Sequence, residues 1–318
     1  MKECAIFATL FLSKKVKGEM LLDKIEFLKE EENLKRTLSI LNDETLNYIE
    51  KRKAISEYIL EYRKKYIEEY RDDEDKLIEY FDHERYIKEE SYKSIDRKLS
   101  EFVKLKESPY FGKINFIDDG FNEELYIGRY GLTPEESYEP VIVDWRAPVA
   151  SIFYKGMLGK TNYLSPQGEV PVEILSRRQL MIKKAKLEGY FDSDINIQDE
   201  ILQMVLSSNS GEKLKDIVNT IQKEQDEIIR ADRSKAVVVN GVAGSGKTTI
   251  ALHRVAYLLY NYREQLTDKV LILGPNDVFM DYISEVLPNL GETAVNNETF
   301  LSFAYREIGL NEEVLDVT

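Results

Sequence analysis

Residues 237–249 read VVVNGVAGSGKTT and contain the pattern G-x-x-x-x-G-K-[ST] between Gly241 and Thr248. Glycines at this spacing let backbone N–H groups turn inward around phosphate oxygens. In such a loop, the Lys247 ammonium would contact the β- and γ-phosphates, and the Thr248 hydroxyl would ligate Mg²⁺. The pattern therefore predicts a phosphate-binding loop.

The residues on either side of the loop fit this prediction. Val237, Val238 and Val239 predict a buried strand before it, and residues 249–260 predict a helix whose N-terminal dipole would favour phosphate. The alternative is a tight turn between strand and helix that binds no ligand. We expect Lys247 and Thr248 to have catalytic roles, and the predicted nucleotide-binding loop comprises Gly241, Val242, Ala243, Gly244, Ser245, Gly246, Lys247, Thr248 and Thr249.

Other short motifs surround the loop at characteristic distances. Gln225 lies 22 residues before Lys247, a His253–Arg254 pair follows, and residues 299–302 read TFLS. This set resembles the UvrD/Rep superfamily 1 helicases. The resemblance implies that Gln225 reads the edge of adenine. In that family a later T-F-H-S stretch faces single-stranded DNA.

Residue 301 departs from the family pattern, because Leu301 stands where the family usually has histidine. A DNA contact at this position is therefore not predicted.

A narrower resemblance covers about residues 90–318 and is to the HelD branch, the helicase-like factors of Gram-positive RNA polymerase. The phrases that carry it are SPYFGKINF (108–116), VIVDWRAPVASIFY (141–154), TIQKEQDEIIR (220–230) and NGVAGSGKTTIALHRVAYLLY (240–260). It implies ATP and Mg²⁺ as cofactors and RNA polymerase core as a partner of the N-terminal region. It also implies nucleic acid binding through a complete motor.

A helicase motor needs two RecA-like domains, an Asp-Glu carboxylate pair for Mg²⁺ and an arginine finger. No strand that ends in Asp-Glu follows the phosphate loop before Thr318. We therefore expect the chain to be the N-terminal part of a longer protein or a truncated product. Alone it should bind nucleotide weakly and not hydrolyse it.

The composition limits the kinds of partner. The 318 residues are enough for two or three domains, and 43% of them are hydrophobic. The net charge of −14, from 58 acidic and 44 basic residues, argues against a broad basic face for nucleic acid and favours a protein partner. The single cysteine, Cys4, predicts a reducing cytoplasm, and one cysteine with two histidines makes a zinc site implausible.

The N-terminal segment contains a nine-residue apolar run from Cys4 to Leu12, which is too short to span a membrane. Its positive charges follow the run, at Lys14, Lys15 and Lys17, so the pattern does not favour a signal peptide. We expect residues 1–19 to be a disordered extension, or translation to begin at Met20 instead of Met1, and we expect no membrane association.

Residues 20–107 predict a helical arm. No glycine or proline occurs between Met20 and Leu105, and apolar residues recur at helical spacing on both sides of four acids, Asp72, Asp73, Glu74 and Asp75. Two arms of about 27 residues each would form an antiparallel, coiled-coil-like hairpin about 40 Å long with the acids at its tip. The alternative is one long helix with an acidic solvated face.

Residues 108–195 predict a small β-rich module, because short β-branched and aromatic runs alternate with turn residues. The runs are Phe111–Phe116, Leu125–Tyr130, Val141–Trp145, Ile152–Tyr154 and Val170–Leu175. Asp144, Trp145 and Arg146 indicate either a buried tryptophan beside an ion pair or a surface that docks on the motor.

Residues 196–318 predict a helical segment, hinged near Asn209–Gly211, and an incomplete RecA-like domain. The predicted fold class is therefore α/β and multidomain: a helical hairpin, a β-rich module and the start of a P-loop domain.

Three functions are consistent with these features. The first is a HelD-type factor that uses ATP to release or recycle stalled RNA polymerase, with the hairpin inside a polymerase channel. The second is a conventional ATP-dependent 3′–5′ DNA helicase of UvrD/Rep type. The third is a truncated module that binds polymerase without enzymatic activity.

Overall fold

The structure is a computed structural model that describes residues 2–69, 83–155, 158–192, 223–234, 236–242, 244–266, 269–290 and 295–309. The chain divides into two compact units. The first comprises residues 1–111, 130–142 and 179–191, and the second comprises residues 112–129, 143–178 and 192–318. No helix in the described part of the chain has both the length and the apolar character needed to cross a membrane.

The first unit is built on two long helices, α1 (Lys2–Glu69) and α2 (His83–Glu107). The two helices pack antiparallel. Residues later in α1 contact residues earlier in α2: Tyr48 packs edge-on against Phe102, Arg52 pairs with Asp96, and Arg63 pairs with Glu89. The prediction of a helical hairpin is confirmed, and the alternative of one continuous helix is wrong.

Between Glu30 and Glu44, α1 has a buried face whose residues recur at heptad-like spacing. Its buried positions step by four and three residues, and they are Glu30, Leu34, Thr37, Leu41 and Glu44. Leu34 and Leu41 are 2% and 0% exposed and supply the apolar part of this face.

Two expectations about the arm differ from the structure. The arms are unequal, since α1 has 68 residues and α2 has 25. The backbone is helical from Lys2, whereas residues 1–19 were predicted to be disordered; the run from Cys4 to Leu12 lacks glycine and proline, so nothing in it interrupts a helix. The predicted acidic tip, Asp72–Asp75, lies outside the described residues.

The β-rich module begins with a hairpin of β1 (Gly112–Asp118) and β2 (Phe121–Gly128), paired antiparallel from Gly112↔Ile127 to Asp118↔Phe121. The short β3 (Val143–Asp144) runs parallel to the end of β2, and it leads through the turn at 145–150 into α3 (Ser151–Tyr154).

A second hairpin is formed by β4 (Gly159–Ser165) and β5 (Gly168–Lys183), and β6 (Lys186–Asp192) pairs with β5. The strand order is β3-β2-β1-β5-β4. The β-rich module is thus present. The predicted extended run at Ile152–Tyr154 is wrong, because these residues form a helical turn whose N–H groups bond to Val149, Ala150 and neighbouring carbonyls.

The C-terminal part of the second unit contains the helices around the predicted phosphate loop. They are α4 (Lys223–Ile229), α5 (Lys247–Asn261) and α6 (Arg263–Leu266). After them come β7 (Leu271–Gly274), α7 (Asp277–Val286) and a 3₁₀ helix at Leu287–Leu290, and then β8 (Asn296–Thr299) and α8 (Phe300–Ile308).

β7 and β8 pair in parallel, and α5 packs on α7 through Leu252, Ala256, Met280 and Ile283. Parallel pairing is typical of α/β folds.

The predicted buried strand at Val237–Val239 is wrong. Residues 236–240 form no strand, and Val238 is 91% exposed. A strand exists only where a neighbouring strand completes its hydrogen bonds, and β7 and β8 pair with each other. The predicted hinge at Asn209–Gly211 lies outside the described residues.

Candidate functional site

The loop before α5 depends on glycine conformations. Gly244 has φ 80° and Gly246 has φ 81°, both in the left-handed region that side chains disfavour. At Gly241 a Cβ atom would lie 2.7 Å from the Ser245 hydroxyl oxygen, which is too close for any larger residue without a local shift. The backbone therefore favours glycine at Gly244 and Gly246, whereas the close contact at Gly241 is with the Ser245 side chain.

The Lys247 side chain folds back over this loop. Its Nζ donates hydrogen bonds to the carbonyl oxygens of Gly241 at 2.8 Å and Val242 at 2.7 Å. The ammonium is thus held at the loop by backbone oxygens. An anion that entered the loop would find the cation already beside it, at the cost of these two contacts.

The first turn of α5 presents backbone donors. Gly246 is its N-cap residue and makes no side-chain cap hydrogen bond, and Ile250 N–H donates to the Gly246 carbonyl at 2.9 Å as the first bond of the helix. Uncapped N–H groups at a helix N-terminus favour anions. Thr248 and Thr249 lie half-buried in this turn, Val242 is exposed, and Ala243 lies outside the described residues.

Gln225 lies on α4, half-buried, and α4 packs against α5. The next residue, Asp226, is buried and accepts a hydrogen bond from Arg230 Nε at 2.7 Å. Burial raises the pKa of the Asp226 carboxyl, and the Arg230 guanidinium opposes that increase. The structure thus places the helix of Gln225 beside the helix of Lys247.

Arg254, the second residue of the predicted His–Arg pair, caps the end of α4. Its Nη1 donates to the carbonyl oxygens of Ile228, Ile229 and Ala231 at 2.7–3.1 Å, and its Nη2 donates to that of Asp232 at 3.1 Å. A cation at the C-terminal end of a helix satisfies carbonyls that have no partner within the helix.

His253, the first residue of that pair, is buried and uncharged. Its Nδ1 donates to the Thr249 carbonyl oxygen at 2.7 Å, and its ring lies edge-on to Trp145 with centroids 5.5 Å apart. Burial lowers the pKa of His253 to about 4. Among the described residues, neither His253 Nε2 nor Trp145 Nε1 has a hydrogen-bond partner.

The segment at residues 144–147, the Trp145 loop, supports both interpretations offered for it. Trp145 is fully buried, and Asp144 and Arg146 form a buried bidentate pair with N–O distances of 2.9 and 2.8 Å. The same Arg146 donates to the Leu290 carbonyl oxygen and stacks 4.6 Å from the ring centroid of Tyr260 on α5. The Trp145 loop is therefore an ion-paired core element and also packs on the helices around the predicted phosphate loop.

The TFLS stretch has a structural role at the start of α8. Thr299 is the N-cap residue and accepts a hydrogen bond from Ser302 N–H at 3.2 Å, while Phe300 and Leu301 are 65% and 62% exposed. Thr299 and Ser302 hydrogen-bond to each other in this helix cap, and the cap explains their spacing.

Sequence reasoning missed Asp226 and Arg230. Their four-residue spacing within the phrase QDEIIR is the usual spacing of an ion pair on a helix, and it was a usable signal. The contacts of Arg230 to the Trp145 loop involve residues more than 80 positions away and carry no local signal.

Comparison with known families gives a match over the N-terminal part of the chain. The model of the N-terminal domain of DNA helicase IV HelD matches residues 29–204, which is more than half of the chain and includes most of the helical hairpin and the β-rich module. A search of curated proteins gives no match. On this match, the chain belongs to the HelD family of helicase-related proteins.

Proposed function

We propose that this HelD-family chain binds ATP with Mg²⁺ at the loop before α5, and that it acts on RNA polymerase as part of a superfamily 1 helicase-like ATPase. The observation that carries the proposal is the position of Lys247, whose ammonium lies over the carbonyls of Gly241 and Val242 at the N-terminus of α5. Belonging to the HelD family supports a helicase-related role.

The loop residues have the conformation and charge that binding a nucleoside triphosphate requires. Two left-handed glycines let the chain wrap closely, the N-terminus of α5 has no side-chain cap, and Lys247 supplies a cation. In this proposal Lys247 contacts the β- and γ-phosphates, the Thr248 hydroxyl ligates Mg²⁺, and Gln225 reads the adenine edge. The bound metal would neutralise charge that develops on the phosphates.

The partner proposed for the helical hairpin is RNA polymerase core. A hairpin that enters a channel must be stiff, and here α1 and α2 are joined by buried apolar residues and by ion pairs such as Arg52–Asp96. The net charge of −14 favours a protein channel over duplex DNA as the surface that receives it. A complete motor in the same protein would supply nucleic acid contacts.

Nucleotide binding is tested by calorimetric titration of the whole chain with MgATP. Lys247→Ala should remove detectable binding, because the loop loses its cation. Lys269→Ala, which removes an exposed lysine after α6, is the matched control and should bind as the unmodified protein does. No binding by the unmodified chain, or equal binding by Lys247→Ala, would contradict the proposal.

The role of Gln225 is tested by comparing ATP with GTP. Gln225→Ala should reduce the preference for adenine more than the overall affinity for phosphate. Equal affinity of the unmodified chain for the two nucleotides would contradict the adenine role.

Polymerase binding is tested by pull-down of purified core RNA polymerase with the whole chain. Replacing Asp72, Asp73, Glu74 and Asp75 by Asn or Gln should keep most of the binding but weaken any inhibition of transcription, because carboxylates at a hairpin tip would act on the catalytic Mg²⁺. Failure of the unmodified chain to retain polymerase would favour the conventional helicase function.

A further inference from the structure

The Trp145 loop contacts three elements around the phosphate loop. Arg146 Nη1 donates to the Leu290 carbonyl oxygen in the 3₁₀ helix at 3.2 Å, and Trp145 packs against His253 on α5. The third contact is to α4 and is made by Arg230. The loop is itself rigid, because the buried pair of Asp144 and Arg146 fixes its backbone and Arg146 N–H bonds to Asp144 Oδ1 at 2.9 Å.

Arg230 is held on every side. Its Nη2 donates to the Trp145 carbonyl oxygen at 2.6 Å, its Nη1 donates to that of Ala147 at 3.2 Å, and its Nε bonds to Asp226. The face of the guanidinium lies 5.2 Å from the ring centroid of Tyr257 on α5. One side chain therefore joins the end of α4 to the Trp145 loop and to α5.

The position of α4 depends on such contacts. The helix has seven residues, about two turns, and helices of this length are not stable without tertiary packing. Arg230 holds it from the side of the Trp145 loop, and Arg254 holds its carbonyl end from α5. Gln225 lies on the same short helix, so its distance from Lys247 is set by these two arginines.

We propose that Arg230, anchored on the Trp145 loop, is a positioning residue for nucleobase recognition: it fixes the helix of Gln225 against the helix of Lys247. This inference rests on the proposed nucleotide function. The contacts of Arg230 described here are to Asp226, Tyr257 and the Trp145 loop, and none of these residues belongs to the predicted phosphate loop. Base recognition and phosphate recognition therefore depend on different residues and are separable by mutation.

The experiment measures dissociation constants of the whole chain for MgATP and for magnesium tripolyphosphate, which carries the phosphates without the base. In Arg230→Ala the affinity for MgATP should fall about tenfold, while that for tripolyphosphate should change less than about twofold. Arg230→Lys should recover part of the loss, since lysine keeps the charge but not the forked geometry. Arg233→Ala, an exposed arginine three residues later, is the matched control and should change neither constant.

Arg254→Lys provides a second route if Arg230→Ala fails to fold. It loses most of the four carbonyl contacts at the end of α4 and should give the same selective loss for MgATP, by about threefold or more. Fluorescence of Trp145 verifies that each variant keeps its packing.

The outcomes separate this inference from the function on which it rests. Equal losses for MgATP and tripolyphosphate, or no loss for either, would overturn the positioning role and leave ATP binding intact. A chain that binds tripolyphosphate and MgATP equally before mutation would also overturn it. No binding of MgATP by the unmodified chain would overturn both proposals.

Discussion

Acidification should destabilise the region around α5 through His253. Burial holds the pKa of this imidazole at about 4, against 6.5 for an exposed histidine, so the folded state binds its proton less readily than the unfolded state. Stability is therefore full above pH of about 6.5 and is lost as the pH falls towards about 4. Each pH unit across that interval costs about 1.4 kcal/mol, and the whole interval costs about 3 kcal/mol.

The stability measurements should stay above pH of about 4.9, the isoelectric point, where the protein has little net charge. Between pH of about 7.5 and 5.5, the His253 contribution amounts to about 1.3 kcal/mol. The chain has a single tryptophan, Trp145, and it packs directly against the His253 ring. Urea unfolding followed by tryptophan fluorescence therefore reports on the correct region.

The matched variant is His253→Phe, which keeps an aromatic ring beside Trp145 but cannot be protonated. It should be less stable at neutral pH, because the bond to the Thr249 carbonyl is lost, and its stability should fall about 1.3 kcal/mol less on acidification. His83→Gln, which alters the other histidine, should keep the loss that arises from His253. The same pH dependence in the unmodified protein and in His253→Phe would refute the reasoning.

Two further predictions concern packing. Leu41→Ala should destabilise the hairpin by about 2–5 kcal/mol, because Leu41 is fully buried. Leu46→Ala, at a side chain that is 59% exposed, should change stability by about 0.5 kcal/mol or less. Thermal unfolding followed by circular dichroism measures both changes. Gly112→Ala should lower the free energy of unfolding by about 1–3 kcal/mol, because its Cβ would lie 2.6 Å from Phe153 Cε2. Adding Phe153→Leu should recover part of that loss. Full stability of Gly112→Ala alone in urea unfolding would contradict this contact.

The helical hairpin was predicted from a local signal, and the glycine-rich loop has a local signal as well, although phosphate binding there stays a prediction. No glycine or proline interrupts the arm between Met20 and Leu105, and Gly246, which the motif requires, has the left-handed conformation that glycine adopts readily. Both patterns are satisfied by backbone geometry within a few residues, so distant parts of the chain do not alter them.

Strands could be predicted less well, because a strand depends on its neighbours. Val237–Val239 have high β-propensity but no pairing strand among the described residues; Val237 and Val238 are exposed and Val239 is half-buried. Ile152–Tyr154 have similar propensity, yet Pro148 begins a series of turns in which Ser151 N–H bonds to the Pro148 carbonyl and the chain coils. In each case tertiary context overrides residue preference.

The candidate site shows the same division between local and distant signals. The glycine-rich loop has a recognisable sequence pattern, but the contacts that hold the neighbouring α4 do not, because Arg230 meets Trp145 across 85 positions of sequence and Arg146 meets Leu290 across 144. A short helix such as α4 has little stability of its own, so whatever it carries is located by the residues that hold it. Gln225 was identified from its distance to Lys247 along the chain, but its distance in space is set by Arg230 and Arg254. Asp144, Trp145 and Arg146, which the sequence indicated as either a core element or a docking surface, form the loop on which Arg230 is anchored. The position of the Gln225 helix therefore depends on this loop.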